Sequence, residues 1–452
     1  MTRREKLTDI GEIIFKLMFL MVGFLQYSSL TFGNPVISWI QWPMLALGVV
    51  LLALRVKDWK EYAATKGFWL LILFALSYLI SSVVNIGYGW YDNLRFLAFL
   101  GLEITLLYSY SKASPDETSR RHTEICMWYY ISLTFLLSLL SFAFLFLGVK
   151  AIFEQDFGPT YNIGFWWGRL FGAYWDPNIA AVMAVICCAF CVALCIKHKH
   201  WLIRTYLVLN VLLQLVYIEF SDSRAGKICL IIATAVIGFM YALRLLSVKK
   251  AVLRVTLSLA VAVGVTALVL GVVALSGEVY NNTVAEMEET VGEEVYLEPI
   301  GREGDIAQDV SNRRFDIWGS AIELFRSSAV VGVSHGNIVA YAEENLPDTY
   351  IINNDHMVFN TMHNVLVDIL ASQGIIGLVL FLAAAIVIAV GIFKKMPRYF
   401  ASKHFYTYAA LFAAVLTALV SSMFMTEIVY VISPLTLIFW VSAGCLSHAE
   451  SN

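Results

Sequence analysis

Residues 216–232 read VYIEFSDSRAGKICLII, a short polar knot between two apolar runs, LVLNVLLQLVYIEF (207–220) and ICLIIATAVIGFMYAL (228–243). With their neighbours, such runs approach the roughly 20 residues a helix needs to cross the roughly 30 Å hydrocarbon core of a membrane. The knot leaves no room for a loop, so the two helices turn back on each other at one membrane face. Working outward, similar runs recur along all 452 residues, of which 59% are apolar and only 14% charged, with a mean hydropathy of +0.73. A soluble chain of this length carries about one charged residue in four. The composition therefore points to an all-α, polytopic membrane protein and argues against a large soluble one.

The runs predict twelve spans, roughly 11–31, 36–54, 67–86, 93–110, 126–149, 179–196, 202–220, 225–245, 252–275, 363–393, 404–422 and 428–447. Six basic segments (TRREK, RVKDWKEYAATK, SKASPDETSRRH, IKHKHWLIR, RLLSVKKAVLR and FKKMPRYFASKH) hold 21 of the 31 Lys and Arg. All six fall on one side of a twelve-span arrangement, which the positive-inside rule makes cytoplasmic, with both termini inside. The N-terminus has no small-residue cleavage site and is read as a retained first helix. The expected division is residues 1–275 with nine spans and an outer segment at 150–178, a large outer loop at 276–362, and three spans in 363–452. That loop carries 16 Asp and Glu against four Arg, so it is solvated. The seven cysteines lie almost entirely in apolar runs without metal-ligand spacing, so packing is their expected role. No Walker loop or Rossmann fingerprint is present, which argues against ATP-driven transport.

On this topology the knot faces outward. Ser221, Asp222 and Ser223 suit the N-cap of the next helix and put Arg224 in its first turn, with Lys227 just behind. A cation there opposes the helix dipole unless an anion lies between the arginine and the unpaired N–H groups. The bland alternative is an arginine paired with Asp222 or snorkelling. SNRRFDIWGSAIELF repeats the device: a helix beginning near Ser311 or Asn312, Arg313 and Arg314 at its start, and an apolar stripe of Phe315, Trp318, Ile322 and Phe325. The run from His363 to Phe393 is too long for one crossing, so a break is expected near Ser372–Gly374, helped by Gly377. His363 would cap the outer piece, with Asp368 further in, and a histidine at such a cavity mouth suits a general base near neutral pH. Of the other outward histidines, His335 lies in a turn-like stretch and His356 in a polar loop.

In order, GRLFGAYWDPN, SDSRAG, RFDIW…VVGVSHGN and HNVLVDILASQGIIG resemble the O-antigen ligase and Wzy-type polysaccharide polymerase superfamily, over about residues 165–393. The resemblance implies a GT-C-like glycosyltransferase that needs neither nucleotide sugar nor metal. It would take a glycan from an undecaprenyl-diphosphate carrier at the outer face of a bacterial cytoplasmic membrane. The growing polysaccharide would be acceptor, membrane lipid would surround it, and a chain-length regulator and a flippase would be partners; nucleic acid would not. Arg224 and Arg314 would hold the diphosphate, with Lys227 beside them. His363, followed by Asn364, would activate the acceptor hydroxyl. Arg169 and Arg95 would contact phosphate or sugar. Arg313 directly precedes Arg314, so the motif leaves open which one meets the phosphate.

Polymerisation of repeat units is the favoured reading, with ligase-type transfer to another surface acceptor as the alternative. A flippase or secondary transporter is the competing class. It predicts charges deep in the spans, for which Lys16 is the candidate.

Overall fold

Residues 3–155, 158–291, 297–301, 313–355 and 357–448 are described by the structure, a computed structural model. The expected start at Ser311 or Asn312, and His356, lie outside them. In chain order come α1 (Arg3–Tyr27), α2 (Pro35–Arg55), α3 (Trp59–Ala63), α4 (Phe68–Val84), α5 (Tyr91–Leu102) and α6 (Asp116–Phe146). Strands β1 (Ala151–Gln155), β2 (Gly158–Trp166) and β3 (Arg169–Gly172) precede α7 (Pro177–Lys197), α8 (Trp201–Phe220), α9 (Arg224–Leu245) and α10 (Ala251–Val291). The rest are α11 (Arg314–Ser327), α12 (Ile338–Asn345), α13 (Val365–Ala401), α14 (Phe405–Ser421) and α15 (Pro434–His448). Among the described residues, seven helices are long and apolar enough to cross a membrane, and α4, α14 and α15 are shorter apolar ones.

The centre is built from α7, α14 and α15, which are buried along most of their length. Their contact faces are rich in small residues, among them Ala180, Ala181, Ala184, Ala409, Ala410 and Ala413. Lipid tails are as apolar as leucine, so helices in a membrane gain by close backbone approach, which small residues permit.

The basic segments meet at one end of the bundle: Arg4 pairs with Asp58, Lys197 with Glu124, and Lys66 lines a crevice with Lys394, Lys395 and Arg398. The knot, the hairpin and the start of α13 lie at the other end, called here the site face. Lys16 is fully buried, bonded to Tyr110 at 3.2 Å and His122 at 3.1 Å, with the Glu12–Arg55 pair nearby. This charged set belongs to the half of the bundle away from the site face.

Two expectations need correction. The fold is not purely helical: 151–172 forms a three-stranded antiparallel sheet in the order β1-β2-β3. Alternating Ile152, Tyr161, Ile163 and Phe165 favour strand, and Trp167 and Gly168 turn the chain between paired Trp166 and Arg169 with φ of 52° and 68°. Two consecutive positive φ values are the type I′ geometry of a two-residue hairpin. The second correction is that α10 continues as helix past residue 275 to Val291. Its extension is fastened by Asn281, whose side chain bonds both the N–H and the C=O of Ile300.

The break expected in α13 is present at Gly374, with φ 62° and ψ −160°. Its loose backbone groups are taken up by the segment after α11. Val333 and Ser334 donate to the carbonyls of Ala371 and Ser372, and Ile375 donates to that of Ala329. Helix α4 supplies the other side. Ser77 bonds Gln373, Ser81 bonds the Ser372 carbonyl, and Asn85 bonds that of Gly332. Irregular backbone at this depth persists because protein surrounds it.

Candidate functional site

The knot caps α9 as its sequence suggests: Ser223 Oγ accepts the Gly226 amide at 3.0 Å, and Arg224 is the first helical residue, half-buried. Lys227 lies 3.0 Å from Glu219 and 3.7 Å from Asp222, so its charge is balanced across the turn. Arg169 is buried. It reaches from the hairpin to the Ser221 carbonyl and to Asn178 Oδ1, both at 2.8 Å, tying hairpin, knot and the start of α7 together.

Helix α11 begins at Arg314, with Arg313 in the cap position at φ 64°. The two arginines diverge. Arg313 donates to the Tyr350 hydroxyl at 3.4 Å, whereas Arg314 donates to the Phe424 carbonyl at 3.3 Å. The buried stripe of α11 is Ile317, Ser320, Ala321 and Leu324, whereas Phe315 and Ile322 of the expected apolar stripe are exposed. The smaller residues let α11 approach α13 and close a separate small core with Val333, Met362 and Ala371. Trp318 still contributes, donating to the Met362 carbonyl at 3.0 Å.

His363 is not the cap of α13. Asn364 is, accepting the amides of Leu366 and Val367. A histidine ring cannot reach those N–H groups as a short amide side chain does, and His363 turns away with φ 50°. Asn364 also donates to the Met423 carbonyl at 3.2 Å, and the Val365 amide to that of Ser422 at 2.8 Å. Asp368, fully buried, accepts the Met362 amide at 2.9 Å and the Thr426 hydroxyl, fixing the backbone immediately before His363.

One segment, 422–433 between α14 and α15, thus receives Val365, Asn364 and Arg314 on the consecutive carbonyls of Ser422, Met423 and Phe424, and donates to Asp368 from Thr426. Arg224 joins it at the same level. Cys229 donates to the Thr417 carbonyl at 3.7 Å, and from there about five residues lead to Arg224 and about five to Ser422, each about 7.5 Å of rise. Sequence reasoning missed this segment, Asp176 and Glu427. Glu427 is 1% exposed. Burial pushes its carboxyl up to about 8, with like charge on Asp176 adding and bonds from Ser433 and Tyr27 opposing.

Burial holds His363 below the ordinary histidine range; the Arg314 guanidinium adds to this and the Asp176 carboxylate opposes it. His335 is buried, stacked on Tyr430 at 4.5 Å with an edge of Phe96 at 5.1 Å, and burial lowers it to about 3, so it serves as a neutral ring. Arg95, next to Phe96, pairs with Asp92 at 3.1 Å on the rim. Among the described residues, six other than glycine have positive φ: Trp167, Asp222, Arg313, Ser334, His363 and Tyr430. All belong to turns of the site face, and such strain gathers where surroundings over-determine a functional geometry.

Among the described residues no group of three His, Cys, Asp or Glu forms a metal-binding cluster. No curated protein matches the chain. Residues 209–382 match the family model described as O-antigen ligase, a segment that holds Arg224, Arg313, Arg314 and His363 and ends inside α13. The match bears out, over those residues, the resemblance to the O-antigen ligase and Wzy superfamily that the motifs carry.

Proposed function

We propose that the protein transfers a glycan from an undecaprenyl-diphosphate carrier to an acceptor sugar at the outer face of a bacterial cytoplasmic membrane, polymerising surface-polysaccharide repeat units. The observation that supports this reading is that Arg314 and the start of α13, next to His363, bond the turn at the end of α14, with the N-terminus of α9 that carries Arg224 at the same level. The basic ends gathered on the opposite face support a cytoplasmic side there, with both termini inside. Twelve crossings of GT-C-like arrangement follow if α1 and α5 join the ten apolar helices. The division into 1–275, 276–362 and 363–452 keeps its functional sense, with α10 reaching beyond the first boundary.

As the bond from the anomeric carbon to the phosphate oxygen breaks, its electron pair leaves on the diphosphate. The guanidiniums of Arg224 and Arg314 and the N-termini of α9 and α11 stabilise that charge more in the transition state than before it. His363, neutral and held so by its surroundings, takes the proton from the acceptor hydroxyl as the new bond forms. Arg314 rather than Arg313 takes the phosphate role, because Arg313 is directed to Tyr350. Arg169 and Asn364 act by fixing the elements around the site; Arg95 stands at the rim for sugar. An apolar groove of about 310 Å³ between α7, α8, α9 and α10 suits the prenyl tail. Its wall begins at Leu230, about 9 Å along α9 from Arg224.

The test is purified protein with lipid-linked repeat units, products resolved by length. Arg224→Ala and His363→Ala are each expected to lower turnover roughly a hundredfold or more; variants that fold and transfer at near wild-type rate overturn the assignment. Single transfer to a surface acceptor without chain growth would identify the ligase alternative.

A further inference from the structure

At the end of the bundle opposite the site face, a crevice of about 340 Å³ opens between the turn before α4 and the last third of α13. Its α13 wall is a single stripe that changes character along its length. Ile386, Val387 and Val390, all exposed, form the apolar part, and Lys394 and Arg398, also exposed, the cationic part. Residues four apart lie above one another on a helix, so the stripe from Ile386 to Arg398 runs about 18 Å along the axis. Lys66 closes the cationic end from the facing turn. Gly67 lets that turn approach: at φ 78° it precedes α4 where a Cβ would lie 2.8 Å from Ile388. Trp59 and Trp69, both exposed and edge-on at 6.0 Å, flank the turn, as aromatic rings do at the level of lipid headgroups. None of the lining residues is acidic, and Lys66, Lys394 and Arg398 form no ion pair with any described residue. Lys395 instead donates to the Ser447 carbonyl. The dipole of α13 accounts for Arg398 in its last turn, but not for Lys394 further back or for Lys66 on another element.

We propose that this crevice binds one anionic phospholipid, its phosphate among Lys66, Lys394 and Arg398 and an acyl chain along Ile386, Val387 and Val390. A phospholipid has the same order of parts, a charged head on an apolar tail, and one leaflet of hydrocarbon is about 15 Å deep. The apolar stripe alone would meet any lipid tail. The cations make the site choose: a zwitterionic head brings its own positive charge to them, whereas phosphatidylglycerol brings only phosphate. Bound there, the lipid joins the turn before α4 to the end of α13. It takes no part in glycosyl transfer, so the site stands or falls separately from the proposed function.

The test uses the full chain, purified in detergent and stripped of lipid, with melting followed as dioleoyl phosphatidylglycerol or dioleoyl phosphatidylcholine is added. Phosphatidylglycerol is expected to raise the melting temperature at a concentration roughly tenfold or more below that of phosphatidylcholine. The double variant Lys394→Gln/Arg398→Gln should weaken that response roughly tenfold or more. Lys249→Gln/Lys250→Gln, which removes the same charge from the exposed turn between α9 and α10, should keep it. Equal responses to the two lipids, or an unchanged response in Lys394→Gln/Arg398→Gln, overturn the proposal. Inorganic phosphate reproducing the shift would give the cations to a free anion and overturn it too. A second measurement needs no variant. Phosphatidylglycerol with a photoreactive acyl chain, crosslinked to the wild-type protein and mapped by peptide mass spectrometry, should label residues 386–390, and excess unlabelled phosphatidylglycerol should suppress that label where phosphatidylcholine does not. No label there, or a lipid-independent dimer that the double variant turns into a monomer, gives the stripe to another occupant and overturns the lipid site.

Discussion

At the scale of single residues, Glu427 makes the sharpest statement about pH. Its carboxyl, ordinarily near 4.5, is raised to about 8 mainly by burial. The folded protein therefore holds a proton that the unfolded chain releases between those values. Stability from this group is complete below the ordinary value and is lost as pH rises through about 8. The thermal midpoint of the wild-type protein in detergent is expected to fall from pH 6 to pH 9. Glu427→Gln, neutral at every pH, should flatten that fall and overtake wild type at the alkaline end; parallel curves would contradict it. His363 was legible because a lone histidine stood where an apolar helix begins. Glu427 was not, since one acid in MFMTEIVYVISP carries no pattern, and its burial depends on Tyr27 from the far end of the chain.

At the scale of elements, the broken α13 and the segment threaded against it form one unit. Gly374 occupies backbone that side-chain-bearing residues avoid, and a Cβ there would lie 2.5 Å from the Val330 carbonyl carbon and oxygen. Gly374→Ala is expected to cost about 3 kcal/mol or more, read as a lower melting temperature. Gly319→Ala, on an open face of α11, is the control and should be neutral or slightly stabilising. The break itself was legible from the 31-residue length of the run and its glycines. What fills it was not read, although α4 carried a signal: Ser77 and Ser81 on a largely apolar helix and Asn85 at its C-cap recur every four residues. A polar stripe at that spacing inside a span marks something polar to meet. The hairpin was hidden for another reason, since its turn uses Trp-Gly, where Asn-Gly or Asp-Gly would have announced it.

At the scale of the whole molecule, hydropathy and the distribution of Lys and Arg carried most of the architecture, because lipid forces every backbone group into helices and barrels. Helix limits came within a few residues for α7, α8, α9 and α14, and failed at α10, whose last turns leave the apolar pattern yet remain helical. The groove below Arg224 gives the molecule-wide prediction. Filling it with Ala233→Trp should slow transfer from a full-length prenyl carrier far more than from a short-chain analogue. Equal slowing of both would remove the groove from the donor path.

The turn between α14 and α15 has a consequence for how the protein is made. The residues that match the family all emerge from the ribosome by position 382, yet the carbonyls of Ser422, Met423 and Phe424 that fix them come some forty residues later. Helix α15 then locks that turn, Trp440 donating to the Ile428 carbonyl at 3.0 Å. A nascent chain can therefore hold every motif residue in the bilayer and still have no assembled centre. On the proposed function, competence arrives only once α15 has inserted, so release before that helix leaves an inert membrane protein.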